Sequence, residues 1–230
     1  MKLSKRLKQI ESMVTSDYSH IWDCCCDHGH LGTALLTRNA AQYIHFVDIV
    51  PELIETLENK LQHFHEDSET HWEALCQDVS TLPLSRYKGR QLIIIAGVGG
   101  DLMTKFIEDL HLHHPKVDVD FLLCPVHHQF TLRNKLNSLG FSCKQEALVE
   151  DNQRFYEVML VSPPRTDRDI DKLSAVSLVG ESFWLSAIPE EDTIAQKYLT
   201  KTLAHYQRIQ QGKKVDVQHI IDAYNAVTIS

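Results

Sequence analysis

The chain has 230 residues, a formal net charge of −8 and 43% hydrophobic residues. This length accommodates one α/β domain of roughly 150 residues and a smaller accessory piece. The acidic balance excludes a globally basic nucleic-acid binder and limits such binding to a local patch. No run approaches the roughly 18 apolar residues of a membrane span, and the N-terminus lacks the apolar block of a signal peptide. We therefore expect a cytoplasmic protein without membrane contact.

Apolar runs alternate with helical patterns along the first 139 residues. The spacing of Leu3, Leu7 and Ile10, with basic residues between them, predicts an amphipathic opening helix. Pro51 suits the first turn of a helix, where its missing N–H costs nothing. Continuous aliphatic runs are typical of parallel strands that are buried on both faces. In chain order the pattern predicts strands over 20–25, 43–47, 72–76, 91–96 and 121–124, and later helices over about 33–39, 51–65, 102–110 and 129–139.

Two further β patterns follow, over 141–149 and 154–161, and only a tight turn separates them. They are expected to pair as an antiparallel hairpin. Five βα units and a hairpin predict the α/β class I (Rossmann-like) methyltransferase fold, with a seven-stranded, mostly parallel sheet. A charged linker over 165–171 divides the chain into a catalytic domain, 1–164, and a C-terminal helical extension, 165–230, with helices near 192–211 and after Gly212.

Ligands bind an open parallel sheet at the carboxyl ends of its strands, where the strand order reverses. Acidic residues and glycines follow four successive predicted strands, so they are expected to meet at one edge of the sheet. These candidate cofactor residues are Asp23, Asp27, His28 and Gly29; Asp48 and Ile49; Asp78 and Val79; and Gly97, Val98, Gly99 and Gly100.

The acidic residues indicate which cofactor would fit. A carboxylate such as Asp48 can accept both ribose hydroxyls, and Asp78 can accept the adenine amine, although either one alone would more often begin a turn. Asp23 and Asp27 would repel a pyrophosphate but attract an ammonium group, and no GxGxxG is present. The pattern favours S-adenosylmethionine over NAD or FAD.

Six cysteines occur, and three of them are adjacent at 24–26. Neighbouring side chains of a strand point to opposite faces, so these three cannot converge on one metal ion. We expect buried, reduced thiols and no metal site.

The sequence resembles the TrmK family, the tRNA (adenine(22)-N(1))-methyltransferases. The likeness is carried by LSKRL at 3–7, the D-x-x-x-D-H of Asp23 to His28, AGVGG at 96–100, LRNKLNSLGF at 132–141 and RFYEVMLV at 154–161. The resemblance implies S-adenosylmethionine as cofactor, tRNA as substrate and a helical C-terminal extension. It also implies a substrate pocket between the GVGG loop and the segment after the fifth strand, and cofactor contacts at Asp27, Gly29, Asp48, Asp78, Gly97 and Gly99.

The chain departs from the family at two places. The family usually has glycine where Cys25 stands, and a QPN-like turn where this chain has Cys124, Pro125 and Val126. Methylation of adenine N1 depends more on positioning than on a strong base. Asp27 is our candidate for a proton acceptor or base-orienting group, and its alternative is a contact to the cofactor only.

Basic residues offer a local surface for RNA phosphates, with a solvated helix face as the alternative. Tyr156 could stack on a flipped base or belong to the core. Two other functions stay open: a methyltransferase of the same fold acting on a small molecule or protein, and a non-catalytic RNA-binding protein. A weak homodimer is a further expectation. The candidate substrate or RNA contacts are Lys5, Arg6, His127, Arg133 and Arg154.

Overall fold

The computed structural model describes residues 3–164, 174–185 and 188–229. Its β-strands form one eight-stranded sheet. The strands are β1 (His20–Cys24), β2 (Tyr43–Asp48), β3 (His71–Cys76), β4 (Gln91–Ala96), β5 (Val119–Cys124), β6 (Ser142–Asp151), β7 (Arg154–Ser162) and β8 (Ser174–Ala175).

Seven α-helices and three short 3-10 helices accompany the strands within these ranges. The Ser4 side chain caps the first helix by accepting the N–H of Leu7, and Pro51 occupies the first turn of the third helix. The α-helices are α1 (Lys5–Ser12), α2 (His30–Thr37), α3 (Pro51–His65), α4 (Gly100–His113), α5 (Gln129–Ser138), α6 (Pro189–Gln211) and α7 (Gln218–Asn225), and the 3-10 helices are Val79–Thr81, Leu84–Arg86 and Ser182–Trp184.

The sheet has the order β3-β2-β1-β4-β5-β7-β6-β8. Strands β1 to β5 are mutually parallel, whereas β7 runs antiparallel to both β5 and β6. The predicted fold class is therefore confirmed, including the terminal hairpin. The structure adds an eighth strand, β8, which pairs with β6. A strand of two residues is too short to produce a hydrophobic period, so the sequence pattern did not indicate it.

Two hydrophobic clusters cover the two faces of the sheet. Ile10, Leu35 and Ile54 bring α1, α2 and α3 onto one face. Met103 and Leu132 bring α4 and α5 onto the other. All five residues of β1 are buried, as expected for a central parallel strand. No helix within the described ranges is long and apolar enough to cross a membrane.

A third cluster joins the C-terminal helices to the sheet. Tyr198 of α6 and Tyr224 of α7 pack with Trp184, Phe130 of α5 and Phe155 of β7. The helices near the predicted 192–211 and after Gly212 are present, with α6 beginning three residues earlier at Pro189. The predicted linker, 165–171, lies outside the described residues, and the division of the chain into two domains stays a prediction.

Arg133 lies at the centre of a buried ionic cluster and is 0% exposed. Its Nε donates to Glu157 at 2.5 Å, its Nη2 to Glu146 at 2.7 Å and its Nη1 to the Ser177 carbonyl at 3.0 Å. Tyr198 Oη donates to the other oxygen of Glu157 at 2.5 Å. Burial disfavours the charge of Arg133, but the two carboxylates outweigh it and raise its pKa. The predicted RNA contact at Arg133 is therefore wrong, because its guanidinium is buried and hydrogen-bonded inside the fold.

Replacing Arg133 by Met should lower the free energy of unfolding by about 3–5 kcal/mol, because two buried carboxylates lose their counter-charge. Denaturant titration followed by circular dichroism measures this change. The matched control is Arg154→Met, since Arg154 is exposed and has no role in the cluster. A destabilisation of Arg133→Met no larger than that of the control would contradict the structural role of the cluster.

Candidate functional site

The candidate site lies where the strand order reverses, between β1 and β4. These strands are hydrogen-bonded neighbours, but α2 follows β1 on one face and α4 follows β4 on the other. Their carboxyl ends therefore leave a cleft, in which an open α/β sheet binds its ligands. The loops over 25–29 and 97–99 border this cleft, and the ends of β2, β3 and β5 flank it.

Asp23 lies beneath the first loop, inside β1, and is 4% exposed. Its Oδ2 accepts the N–H of Gly32 at 2.8 Å. A Cβ on Gly32 would lie 2.9 Å from that oxygen and 2.3 Å from Phe46, so this close approach requires glycine. Burial raises the pKa of Asp23 to about 7, against the lowering effect of the Gly32 N–H. The predicted loop therefore begins later, after Cys24.

Three residues of the first loop have left-handed backbones: Cys25 with φ 56°, Asp27 with φ 51° and Gly29 with φ 68°. Such a conformation favours glycine, which explains the glycine that the resembling family has at the position of Cys25. This chain keeps the glycine-type backbone with a cysteine side chain, which is half-buried. Burial raises the pKa of the Cys25 thiol to about 12, so it is protonated near neutral pH.

Asp48 at the end of β2 holds the first loop in place. Its Oδ2 accepts the N–H of Asp27 at 3.0 Å, and its Oδ1 accepts the N–H of Val50 at 3.1 Å. The side chains of Asp27 and His28 remain exposed, with 3.6 Å between a carboxylate oxygen and Nε2. Asp48 therefore joins two loops while each of its oxygens keeps accepting capacity for a ligand.

The end of β3 agrees with the sequence expectation only in part. Asp78 is exposed, and its Oδ1 accepts both the N–H and the hydroxyl of Ser80 at 2.8 Å, so it caps the short helix Val79–Thr81. This is the turn-forming role that competes with ligand binding. The Val79 side chain is 4% exposed and packs in the core, so the cofactor contact predicted at Val79 stays a prediction and would involve its backbone. Ile49, in contrast, is 66% exposed beside Asp48.

The glycine-rich loop after β4 is joined to the loop after β5. Val126 N–H donates to the Val98 carbonyl at 3.0 Å, and Gly100 N–H donates to the His127 carbonyl at 2.9 Å. A Cβ on Gly99 would lie 2.1 Å from the His127 ring, whereas one on Gly97, with φ 92°, would meet nothing within 4 Å. Gly97 therefore borders open space, and the exposed His127 ring lies directly on Gly99.

Sequence reasoning missed a contact between Asp101 and His128. The Nδ1 of His128 lies 2.6 Å from the Asp101 carboxylate, and the His128 ring packs against that of His127 with 4.4 Å between centroids. Asp101 is in the first turn of α4, and His128 immediately precedes α5. Because both helices begin after neighbouring parallel strands, this common position was the signal that could have indicated the pair.

The predicted RNA contacts lie in different environments. Lys5, Arg154 and His127 are exposed, whereas Arg6 is half-buried, and the guanidinium carbon of Arg6 lies 5.0 Å from the centroid of the Tyr156 ring. Together with the buried Arg133, the five candidates therefore do not form one uniform surface.

The cysteines are all free, and Cys24 and Cys26 are buried on opposite faces of the sheet. Cys76 is exposed, so the expectation of buried thiols is wrong for that residue. Among the described residues, no group of three or more His, Cys, Asp or Glu side chains could hold a metal ion.

The fold and the site define a class of enzyme. The chain matches the methyltransferase domain family over residues 3–159. It therefore belongs to that family. A search of curated protein sequences finds no match.

Solved structures with the same fold include TrmK proteins. The chain has a TM-score of 0.70 and 21% identity to the B. subtilis M1A22 tRNA methyltransferase TrmK, covering 98% of this chain and 94% of that one. M. capricolum TrmK in complex with S-adenosyl-homocysteine has a TM-score of 0.73 and 16% identity to this chain, covering 98% of this chain and 97% of that one. An uncharacterised protein from Listeria monocytogenes has a TM-score of 0.77 and 18% identity, covering 98% of this chain and 99% of that one. At these identities the likeness concerns the fold.

Asp23 should make stability depend on pH. Its pKa is raised from 3.8 to about 7 in the fold, so the folded state binds the extra proton between these values. The free energy of unfolding of the wild type should therefore fall, relative to Asp23→Asn, by up to about 4 kcal/mol as the pH rises from about 4 to about 7. Denaturant unfolding across this pH range measures the difference. Asp67→Asn, at an exposed aspartate, is the control, and parallel pH curves for wild type and Asp23→Asn would contradict the assignment.

Proposed function

We propose that the protein is an S-adenosylmethionine-dependent methyltransferase that modifies N1 of adenine 22 in tRNA. The observation that carries this proposal is the reversal of strand order between β1 and β4, where Asp48 fixes the first loop and the glycine-rich loop borders open space at Gly97. The methyltransferase domain match and the TrmK neighbours support the same reading. The motifs that this chain has in common with the TrmK family are the basis for proposing adenine 22 as the target nucleotide.

The residues present fit this cofactor. Asp48 is positioned to accept ribose hydroxyls, and the exposed Ile49 offers an apolar surface to an adenine ring. The exposed carboxylate of Asp27 favours the ammonium group of an amino acid and disfavours a pyrophosphate, whereas the buried Asp23 supports the loop from below through Gly32. When bound, the cofactor supplies an electrophilic methyl group on its sulfonium. Asp78, Gly29 and Gly97 to Gly100 complete the proposed binding set.

The chain's own task toward the substrate is to position adenine N1 in line with that methyl group. The ring of His127, which lies on Gly99 beside the His128 and Asp101 pair, forms one wall of the proposed adenine pocket. Asp27 is exposed in the first loop, where it can orient the base or accept a proton. Lys5 and Arg154 are exposed and available to RNA phosphates.

A non-catalytic RNA-binding protein is the competing hypothesis, based on the cysteine at the family's glycine position and on the turn of Cys124, Pro125 and Val126. The left-handed backbone of Cys25 removes much of the argument from that residue, since the loop keeps its glycine-type path.

We also propose that the protein works in the cytoplasm, with residues 1–164 as catalytic domain and 165–230 as helical extension.

Incubation with labelled S-adenosylmethionine and bulk tRNA, followed by nucleoside mass spectrometry, tests the function. The expected product is N1-methyladenosine, located to position 22 by reverse-transcription stops. Label in added small molecules or proteins, with none in tRNA, would assign the methyltransferase to another substrate. Absence of S-adenosylmethionine binding by calorimetry would instead support a non-catalytic protein.

Asp48→Ala should weaken binding of S-adenosylhomocysteine roughly 10- to 100-fold, because the N–H groups of Asp27 and Val50 lose their acceptor. Isothermal titration calorimetry measures this affinity directly and needs no RNA. Asp67→Ala, which removes an exposed carboxylate between α3 and β3, should leave the affinity unchanged. Equal affinities of wild type and Asp48→Ala would show that the cofactor lies elsewhere.

A further inference from the structure

The guanidinium of Arg6 lies against an aromatic ring. Its carbon lies 5.0 Å from the centroid of the Tyr156 ring, in a cation–π contact. Within the described part of the chain, no carboxylate forms an ion pair with it. Other arginines that lie close to the fold are paired: Arg133 contacts Glu157 and Glu146, and Arg90 contacts Asp120. Among the residues that the structure describes, none takes a hydrogen bond from the Arg6 guanidinium, so its donors are available to a ligand.

The backbone around Arg6 is anchored at two points. Ser4 caps α1 by accepting the N–H of Leu7, and the N–H of Arg6 itself donates to Asp151 Oδ2 at 3.1 Å. Asp151 ends β6 and pairs with Arg154 across the hairpin turn. The start of α1 is therefore attached to the tip of the β6–β7 hairpin, which limits the positions that the Arg6 side chain can adopt.

This arrangement places the guanidinium at the same edge of the sheet as the cofactor loops. Strand β7 runs antiparallel to β5, and the pairing ends at Leu123 and Met159, so Tyr156 lies beyond the carboxyl end of β5. The charge of Arg6 also acts on Cys124, the last residue of β5: burial raises the pKa of that thiol, and Arg6 opposes the increase. Arg6 therefore borders the region next to the proposed adenine pocket.

We propose that Arg6, held over the Tyr156 ring, binds a backbone phosphate next to the target nucleotide of the RNA and so positions the adenine. A cation–π contact uses no N–H donor of the guanidinium, so the planar fork of donors can still match two phosphate oxygens. Arg6 is thus a positioning residue, and Tyr156 sets its orientation. This inference rests on the proposed function, since it takes RNA as the substrate.

The test uses Arg6→Gln, Arg6→Lys and Tyr156→Leu in the full chain. Fluorescence anisotropy with labelled tRNA, in the presence of S-adenosylhomocysteine, gives Kd at several salt concentrations. Arg6→Gln should raise Kd roughly tenfold and reduce the salt slope by about one. Arg6→Lys should restore the salt slope but only part of the affinity, because an ammonium lacks the planar fork. Tyr156→Leu should raise Kd while leaving the salt slope near that of wild type.

Arg86→Gln is the matched control, because Arg86 is exposed and precedes β4 at the opposite edge of the sheet. Its Kd for tRNA should equal that of wild type. Affinity for S-adenosylhomocysteine should be unchanged in every variant, which separates a lost RNA contact from a damaged fold. In turnover, KM for tRNA should rise more than kcat falls.

The outcomes separate this inference from the proposed function. Wild-type tRNA methylation with the same Kd and salt slope for Arg6→Gln would overturn the role of Arg6 alone. Full recovery of affinity in Arg6→Lys would overturn the bidentate geometry. A wild-type chain that neither methylates nor binds tRNA would overturn both. If Arg6→Gln does not fold, Arg6→Lys and Tyr156→Leu decide the question by the same measurements.

Discussion

The contact between the Arg133 guanidinium and two buried carboxylates determines how the two ends of the molecule meet. Glu157 and Glu146 belong to the β7–β6 hairpin, Arg133 belongs to α5, and Tyr198 brings α6 onto Glu157. Burying one of these charges without its partners would be costly, so the elements dock together or not at all. The same docking fixes α5, whose first turn follows His127 and His128. The cluster thus positions, from inside the core, the loop of His127 and His128 that contacts the glycine-rich loop.

The main elements could be predicted because their patterns are local. A parallel strand buried on both faces is a continuous apolar run, and β4 was predicted with the bounds that the structure has, Gln91–Ala96. The burial of Arg133 could not be predicted, because its partners lie 13 and 24 residues away and an arginine on a helix usually faces solvent. Strand β8 also depends on tertiary pairing, with two residues that have no pattern of their own.

The site could be predicted to the level of strand ends but not of side-chain directions. The carboxyl ends of parallel strands lie at one edge of a sheet, and this predicted that Asp48, Asp78 and the glycine-rich loop meet there. Asp23 was expected at the start of the loop, but it lies inside β1 with its carboxylate against Gly32. That contact depends on the missing Cβ of Gly32, which no single-residue pattern reveals. Val79 likewise turns into the core because the short helix that Asp78 caps rotates it inward.

Cys25 shows how a change of residue can leave the backbone of a loop unaltered. A side chain in the left-handed region costs about 1–2 kcal/mol relative to glycine. Neighbouring hydrogen bonds oppose this cost: Asp48 accepts the N–H of Asp27, and the N–H of Cys26 donates to the Val47 carbonyl at 3.1 Å. Since β1 and β2 hold both sides of the loop, the strands rather than residue 25 determine its path. The path of the first loop therefore depends on the sheet and on Asp48, and a cysteine is tolerated at a position whose backbone favours glycine.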